Sequence, residues 1–217
     1  MHPIIGITSD YHEKRHRVAC VYTDAIRTAG GIPIILPSIQ DLVPQFISIC
    51  DGFVFTGGDD PIMEEWGIPT HQNASPVHQD RQSFELSLLR ELQELPQVPV
   101  LGICLGMQWM GLLAGGSLHQ DIEEPFASTH KKSSHTITGS LGDGIVHSHH
   151  HQVLTSAGSL EVIAVADDGV IEAVQDANRL WYKGVQWHPE RTENPNLGQV
   201  LFNQMVQVCK SFKALQL

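Results

Sequence analysis

A single cysteine stands between two glycines in the segment Gly102-Ile-Cys104-Leu-Gly106, after an apolar run and before a segment of helical character. Glycine on each side permits the sharp strand-to-helix turn that lifts a nucleophile off the edge of a sheet. The helix N-terminus that follows favours negative charge, so this thiol should ionise more readily than that of a free cysteine. The sequence therefore predicts Cys104 as a nucleophile.

A cysteine nucleophile needs a base that moves its proton, and the base needs an orienting acceptor. The best-placed histidine is His188 in Trp187-His188-Pro189-Glu190, at the end of a short apolar segment. Residues two apart on a strand point to the same side. If extended geometry continues through Pro189, the Glu190 carboxylate can accept a hydrogen bond from His188. Cys104, His188 and Glu190 are therefore a candidate triad.

A third element is the loop Gly57-Gly58, which follows an earlier apolar segment. Its backbone N–H groups could stabilise an oxyanion. Taken alone, Cys104 fits a buried core residue, and His-Pro-Glu is common in turns. Their joint occurrence with the glycine loop, all at predicted strand ends, favours catalysis.

These residues need a scaffold, and the first half of the chain predicts alternating strands and helices. Such alternation indicates parallel strands covered by helices, with ligands at the carboxyl ends of the strands. The strands are expected at 3–8, 32–36, 52–55 and 98–103, and the helices at 18–29, 42–49, 80–95 and 106–113.

The second half is richer in strands and ends in a helix. Strands are expected at 134–138, 145–147, 160–166, 170–174 and 183–187, and the last helix at 197–212. In the helix 80–95, an apolar stripe contains Phe84, Leu88, Leu89 and Leu92. Spacing alone favours a solvated face for Asp80, Arg81 and Glu85. The tryptophans are expected in the core or in a pocket wall.

Composition limits the function classes. The chain has 217 residues without a linker-like stretch, so we expect one domain over 1–217. A net charge of −11, with no basic cluster longer than Lys131-Lys132, argues against nucleic acid as a partner. Apolar runs are too short to span a membrane, and the N-terminus lacks a signal-peptide pattern, so we expect no membrane partner and a cytoplasmic protein.

The other cysteines, Cys20, Cys50 and Cys209, form no CxxC pair and are interpreted as small buried hydrophobes. Asp59 and Asp60 are interpreted as turn formers after the glycines rather than metal ligands.

A dense histidine run, 147–151, could in principle bind a transition metal. On a strand its first, third and fifth members would share one face, but no carboxylate or cysteine completes the set. We therefore expect no metal site and no cofactor.

The segments around Cys104 and His188 resemble the two signature segments of class I glutamine amidotransferases, and more closely the gamma-glutamyl-gamma-aminobutyrate hydrolase-like branch, peptidase family C26. Supporting motifs follow in order at 57–61, 80–85, 115–121, 147–153 and 168–173. The resemblance implies a flavodoxin-like three-layer α/β/α sandwich, with a mostly parallel central sheet and additional antiparallel strands in the second half.

The resemblance also implies hydrolysis of a gamma-glutamyl amide through a thioester on Cys104, with His188 as base and acid. Backbone N–H groups of Gly58 and Leu105 would form the oxyanion hole. Substrate binding would fall to Gln108 and to the loop containing His150, His151 and Gln152. The resemblance also makes Arg81 and Glu85 candidate polar supports beside the nucleophile strand.

Three departures from the family pattern concern the leaving group. Leu105 stands where this branch often has arginine, His147 stands where asparagine is frequent, and the segment 123–147 is short for the family. Two functions stay open: hydrolysis of small gamma-glutamyl compounds, or a glutaminase subunit delivering ammonia to a synthetase partner. A homodimer is a further expectation, because helices 18–29 and 197–212 have apolar faces.

Overall fold

The computed structural model describes residues 2–123, 126–131 and 133–215. The strands are β1 Ile4–Thr8, β2 Asp10–His12, β3 Arg15–Arg17, β4 Ile32–Leu36, β5 Gly52–Phe55, β6 Val100–Ile103, β7 Ser117–His119, β8 Ser133–Gly139, β9 Gly144–Ser148, β10 Val153–Ser156, β11 Glu161–Ala166, β12 Ile171–Gln175 and β13 Tyr182–Val185. The α-helices are α1 Cys20–Thr28, α2 Val43–Ile49, α3 Gln79–Gln93, α4 Leu105–Leu113, α5 Phe126–His130 and α6 Gln199–Leu215.

A central sheet of nine strands runs in the order β4-β1-β5-β6-β13-β12-β11-β8-β9. The first five strands are parallel, and the pairs from β13 to β9 are antiparallel. The expected α/β fold, a large parallel sheet with antiparallel strands from the second half, is confirmed. The sequence did not predict β2, β3, β7, β10 or α5.

Helices cover both faces of the sheet and bury two apolar clusters. On one face, α1 and α6 pack on side chains such as Ile5, Ile7 and Leu101. On the other face, α3 and α4 pack on Phe53, Phe55 and their neighbours. The carboxyl ends of β5, β6 and β13 therefore meet at one edge, where the loops that carry the proposed chemistry begin.

The stripe predicted on α3 is buried as expected, but the solvated face predicted for Arg81 and Glu85 is wrong. Both side chains are fully buried. The Arg81 Nε donates to Glu85 Oε1 at 2.9 Å, one helical turn away, and Trp109 Nε1 donates to Glu85 Oε2 at 2.8 Å. A buried charge needs such partners, and the amphipathic pattern does not reveal them.

Cys50 and Cys209 are buried as expected, whereas Cys20 is exposed, so its assignment to the core is wrong. Cys20 begins α1 and faces solvent because the buried side of that helix starts at Tyr22. The apolar side chains of α1 and α6 contact each other inside the chain. The apolar faces that suggested a homodimer are therefore buried within the chain. The homodimer itself stays a prediction. Among the described residues, no helix is long and apolar enough to cross a membrane.

The start of α4 lies very close to the sheet, and two glycines make this possible. A Cβ atom on Gly106 would lie 2.5 Å from the carbonyl oxygen of Phe55. A Cβ atom on Gly102 would lie 2.7 Å from the carbonyl carbon of Gly106. Since real Cβ atoms do not approach backbone atoms so closely, any other residue would push α4 away from β5 and β6.

We predict that Gly106→Ala destabilises the protein by about 1–3 kcal/mol, because overpacking against backbone cannot be relieved by a rotamer change. Urea unfolding followed by circular dichroism measures this free energy. The exposed α6 substitution Gln204→Ala should change it by less than about 0.5 kcal/mol. Equal stability of the two variants would contradict the close approach.

Candidate active site

Cys104 lies on a strained turn between β6 and α4. Its backbone has φ 52° and ψ −102°, outside the regions that non-glycine residues commonly adopt. The Cys104 N–H donates to the carbonyl of Val185 at 2.8 Å, which anchors the turn to β13. Strain of this kind persists only where surrounding structure enforces it, and it is typical of nucleophile turns.

His188 and Glu190 are close to the turn, and the two side chains contact each other. The His188 Nδ1 lies 2.7 Å from Glu190 Oε1, and the Glu190 side chain is fully buried. The extended geometry expected through Pro189 is wrong, since Pro189–Arg191 forms a 3-10 turn that follows His188. The turn folds Glu190 back under the imidazole, so the pairing arises by a different route.

The remaining face of His188 is directed at the nucleophile. A Cβ atom placed on Gly57 would meet His188 Cε1 at 2.9 Å and Cys104 Cβ at 3.4 Å, so both side chains lie over the same glycine. Burial by itself lowers the pKa of His188, but hydrogen bonds and charge interactions with Cys104 and Glu190 outweigh it and raise the pKa to about 10. The arrangement favours an imidazolium beside the sulfur.

Arg81 fixes the orientation of the glycine loop. The Arg81 Nη2 donates to the carbonyl oxygens of Thr56 at 3.2 Å and Gly57 at 3.1 Å. Carbonyl and N–H groups of one trans peptide point in opposite directions. Because the Gly57 carbonyl points at Arg81, the Gly58 N–H points away from it.

The N–H groups at the two expected oxyanion positions are available. The N–H of Gly57 donates to Tyr22 Oη at 3.2 Å. In the described ranges, no hydrogen bond engages the N–H of Gly58 or of Leu105. Leu105 is the first residue of α4, where helix geometry leaves the N–H without an intrahelical partner.

Two cavities adjoin Cys104. One, of about 490 Å³, also contacts His188, Gly58, Arg17 and Arg191. The other, of about 410 Å³, is lined by Cys104 together with every residue predicted to bind substrate, namely Gln108, His150, His151 and Gln152. The thiol therefore lies between two separate spaces.

The predicted substrate-binding residues differ in their contacts. Gln108 Nε2 donates to the Gln152 carbonyl at 3.3 Å. His151 lies 3.0 Å from both Asp60 and Asp121 carboxylates. The Asp60 hydrogen bond is the largest contribution to the raised pKa of His151. The buried side-chain amide of Gln152 has no partner among the described residues.

His150 is turned inward, so that both of its ring nitrogens contact protein atoms. The run 147–151 is not one strand face, because β9 ends at Ser148. Asp60 is more than a turn former, since its carboxylate accepts from the Ser75 N–H at 2.7 Å and contacts His151.

The sequence interpretation missed Gln186 and Tyr22. Gln186 Nε2 lies 3.5 Å from Cys104 Sγ, and its Oε1 lies 3.4 Å from Gln108 Nε2. Gln186 is two residues before His188, so the alternation used for Glu190 would also have identified it. Tyr22 gave no sequence signal, because its contact with Gly57 joins residues far apart in the chain.

Residues 3–190 match the Peptidase C26 family, and the chain belongs to that family.

Among its relatives is the gamma-glutamyl-gamma-aminobutyrate hydrolase PuuD of Escherichia coli K12, which is 27% identical, over 96% of this chain and 94% of PuuD. Protein NtpR of Enterococcus hirae is 31% identical, over 86% of this chain and 87% of NtpR. A Rickettsia prowazekii protein described as glutamine amidotransferase-like is 28% identical, over 96% and 98% of the two chains. The family and these relatives support an enzyme of the amidotransferase and hydrolase class.

The fold is also found in a Thermoplasma acidophilum protein whose crystal structure is described as that of a GMP synthase component. The two structures align with a TM-score of 0.72 over 100% of this chain and 98% of the other, at 17% sequence identity. At this level of identity the likeness establishes the shared fold.

We predict that Glu190→Gln moves the alkaline limb of the kcat/KM profile to lower pH. In the native chain His188 should stay protonated until about pH 10, because contacts with Cys104 and Glu190 raise its pKa, and loss of the carboxylate should lower that pKa. The pKa of His188 is higher in the folded protein than in the unfolded chain, so the protonated imidazole adds to the free energy of unfolding. This contribution is fully present below about pH 6.5 and is lost as pH rises through about 10.

Rate profiles and urea unfolding between pH 6 and 11 test both statements. The neighbouring exposed residue Glu193 provides the control, since Glu193→Gln should leave the limb in place. An unchanged limb in Glu190→Gln would show that this carboxylate does not set the His188 pKa.

We predict that Arg81→Lys lowers kcat by about 10²–10³-fold with little change in KM, the loss typical of a misplaced oxyanion donor. Lysine keeps the charge beside Glu85 but cannot contact both loop carbonyls in the same fork geometry. Steady-state kinetics measure kcat and KM separately, and circular dichroism checks that the variant is folded. Arg90→Lys, an exposed substitution on the same helix, should retain full activity.

Proposed function

We propose that the protein is a cysteine-dependent hydrolase of gamma-glutamyl amide bonds in small compounds that resemble gamma-glutamyl-gamma-aminobutyrate. The observation that carries the proposal is the 2.7 Å contact between His188 and Glu190 beside the strained Cys104 turn. Peptidase C26 membership and the name of the PuuD relative support the same reaction class.

In the proposed reaction, the Cys104 thiolate attacks the gamma-carbonyl carbon. The oxyanion that forms accepts hydrogen bonds from the N–H groups of Gly58 and Leu105. His188 then gives its proton to the leaving nitrogen, and the amine departs from a gamma-glutamyl thioester. Water attacks the thioester while His188 takes its proton, which releases glutamate and restores the Cys104 thiolate beside the His188 imidazolium. Glu190 holds the imidazole in the required orientation.

The two cavities suggest how the substrate is divided. We assign the glutamyl group to the 410 Å³ cavity, where the unpartnered amide of Gln152 and the side chain of Gln108 offer donors and acceptors. The leaving group then occupies the 490 Å³ cavity, whose lining includes Arg17 and Arg191. A carboxylate on the amine, as in aminobutyrate, fits an arginine by paired hydrogen bonds.

The alternative is a glutaminase subunit that passes ammonia from L-glutamine to a synthetase partner. The relatives described as glutamine amidotransferases favour it; one from Mycobacterium tuberculosis is 30% identical over 88% of this chain. Under the main proposal the isolated protein needs only a small gamma-glutamyl substrate and acts in the cytoplasm.

The proposal predicts that the isolated protein releases glutamate from gamma-glutamyl-aminobutyrate faster than from gamma-glutamyl-methylamide or L-glutamine, because only the first has a carboxylate on its leaving amine that the arginines can bind. Cys104→Ala should abolish release, and His188→Ala should cost at least about 10²–10⁴-fold. The exposed-cysteine variant Cys20→Ala should remain active. Enzyme-coupled detection of glutamate measures all rates.

The same panel separates the two functions. Activity on L-glutamine alone, or only after addition of a co-purifying synthetase, would favour the amidotransferase. Hydrolysis retained by Cys104→Ala would contradict both, since both use this thiol.

A further inference from the structure

Four side chains converge in the interior behind the 410 Å³ cavity, and of these only His150 also lines it. They form a histidine–glutamate cluster: His130 at the end of α5, His135 on β8, His150 in the loop after β9, and Glu172 on β12. Each residue is at most 7% exposed. Polar side chains buried this deeply need an explanation in hydrogen bonds or in a ligand.

The ligand atoms of His130, His135 and Glu172 lie within 4.8 Å of one another, close enough to hold a metal ion, and His150 adjoins this group. Three imidazole nitrogens surround Glu172 Oε1, at 3.4 Å for His130 Nδ1, 3.1 Å for His135 Nε2 and 3.6 Å for His150 Nε2. His130 Nδ1 and His150 Nε2 are 3.3 Å apart. Ligands in a tetrahedron with bonds of about 2.0–2.1 Å lie about 3.3 Å apart.

Contacts around the cluster fix which imidazole nitrogens carry hydrogen. His130 Nε2 lies 2.9 Å from the Asp168 carboxylate, and His150 Nδ1 lies 3.1 Å from the Gln152 carbonyl. Both partners are acceptors, so each of these nitrogens donates. In the neutral rings the other nitrogen, His130 Nδ1 or His150 Nε2, therefore presents a lone pair to the centre.

Such outer partners are characteristic of histidine ligands, whose second nitrogen usually donates to a carboxylate or a carbonyl. In these neutral tautomers two imidazole lone pairs and the Glu172 carboxylate oxygen face one another within 3.6 Å. Three acceptors in this arrangement repel unless a proton or a metal cation lies between them.

Glu172 and His135 also require a ligand or a partner, because their side-chain polar atoms are buried without hydrogen bonds to the residues that the structure describes. Within the described ranges, neither oxygen of Glu172 and neither nitrogen of His135 meets hydrogen-bond geometry. With Asp168, the cluster contains two carboxylates and three imidazoles. Neutral imidazoles leave a local charge of minus two, which a divalent cation neutralises.

We propose that His130, His135, His150 and Glu172 bind one divalent transition metal ion in a structural site. Imidazole nitrogens together with a carboxylate oxygen form a ligand set that zinc accepts. The expectation of no metal came from the run 147–151; only His150 belongs to that run, and the other three ligands come from distant segments.

The proposed ion would hold the wall of the glutamyl cavity. His150 precedes His151 and Gln152, which line that cavity. Ser148 Oγ and the His150 N–H both donate to the His130 carbonyl, at 2.8 and 3.0 Å. The Gln186 N–H donates to the Glu172 carbonyl at 2.7 Å. One ion would thus connect the loop after β9 to the segment that leads to His188.

Metal analysis of the full-length protein tests the site. The protein is produced with zinc in the medium, purified through a tag without histidine and dialysed, and its metal content is measured by mass spectrometry. We expect about one zinc ion per chain. His147→Gln removes a histidine from the run 147–151 but not from the cluster, and should keep the ion. Glu172→Gln and His135→Gln should lose it.

A second measurement guards against cluster variants that do not fold. Dipicolinate treatment of the native protein should lower the melting temperature, and added Zn²⁺ should restore it in proportion to its concentration. Co²⁺ added to the treated protein should give the visible absorption of a tetrahedral site. Folded native protein without bound zinc or a thermal response would overturn the proposal, as would cluster variants with native zinc content.

Discussion

The geometry of the site depends on the close approach of α4 to the sheet. Only glycine at positions 102 and 106 lets the helix begin directly on β5 and β6, and this approach forces Cys104 into its positive φ. The turn places the sulfur above the sheet edge and directs the first free N–H of α4 to the same side. The backbone therefore sets the position of the nucleophile before any side chain contributes.

The glycine loop Gly57-Gly58 is held in place by its contacts with a buried charge, the guanidinium of Arg81. Arg81 is fully buried and is compensated by Glu85 and by the carbonyls of the glycine loop. A buried guanidinium donor without its acceptor is destabilising, so rotation of the loop peptide would leave a donor of Arg81 without its carbonyl partner. The same contacts that stabilise the arginine orient the Gly58 N–H.

Much of the fold and the candidate triad could be predicted from the sequence, because they rest on local signals. Strand ends marked by glycine or by His-Pro placed Cys104, Gly58 and His188 at one edge of the parallel sheet. The amphipathic pattern placed Arg81 on a solvated face, since such a pattern records polarity and not the carbonyls that satisfy a buried charge. Only the family resemblance indicated a supporting role for it. The 3-10 turn at Glu190 was missed for a related reason: its geometry follows from packing beneath His188, not from Pro189 alone.

The histidine–glutamate cluster marks the limit of sequence interpretation. His130, His135 and Glu172 have no characteristic spacing, and they meet because β8, β11 and β12 pair antiparallel in the extension of the sheet. The dense run 147–151 suggested a different set of candidate metal ligands, but its side chains point in different directions after β9 ends. A buried carboxylate without hydrogen-bond partners among the described residues, surrounded by three imidazoles, becomes visible only in three dimensions. The antiparallel half of the sheet thereby supports the cavity wall that faces the nucleophile supplied by the parallel half.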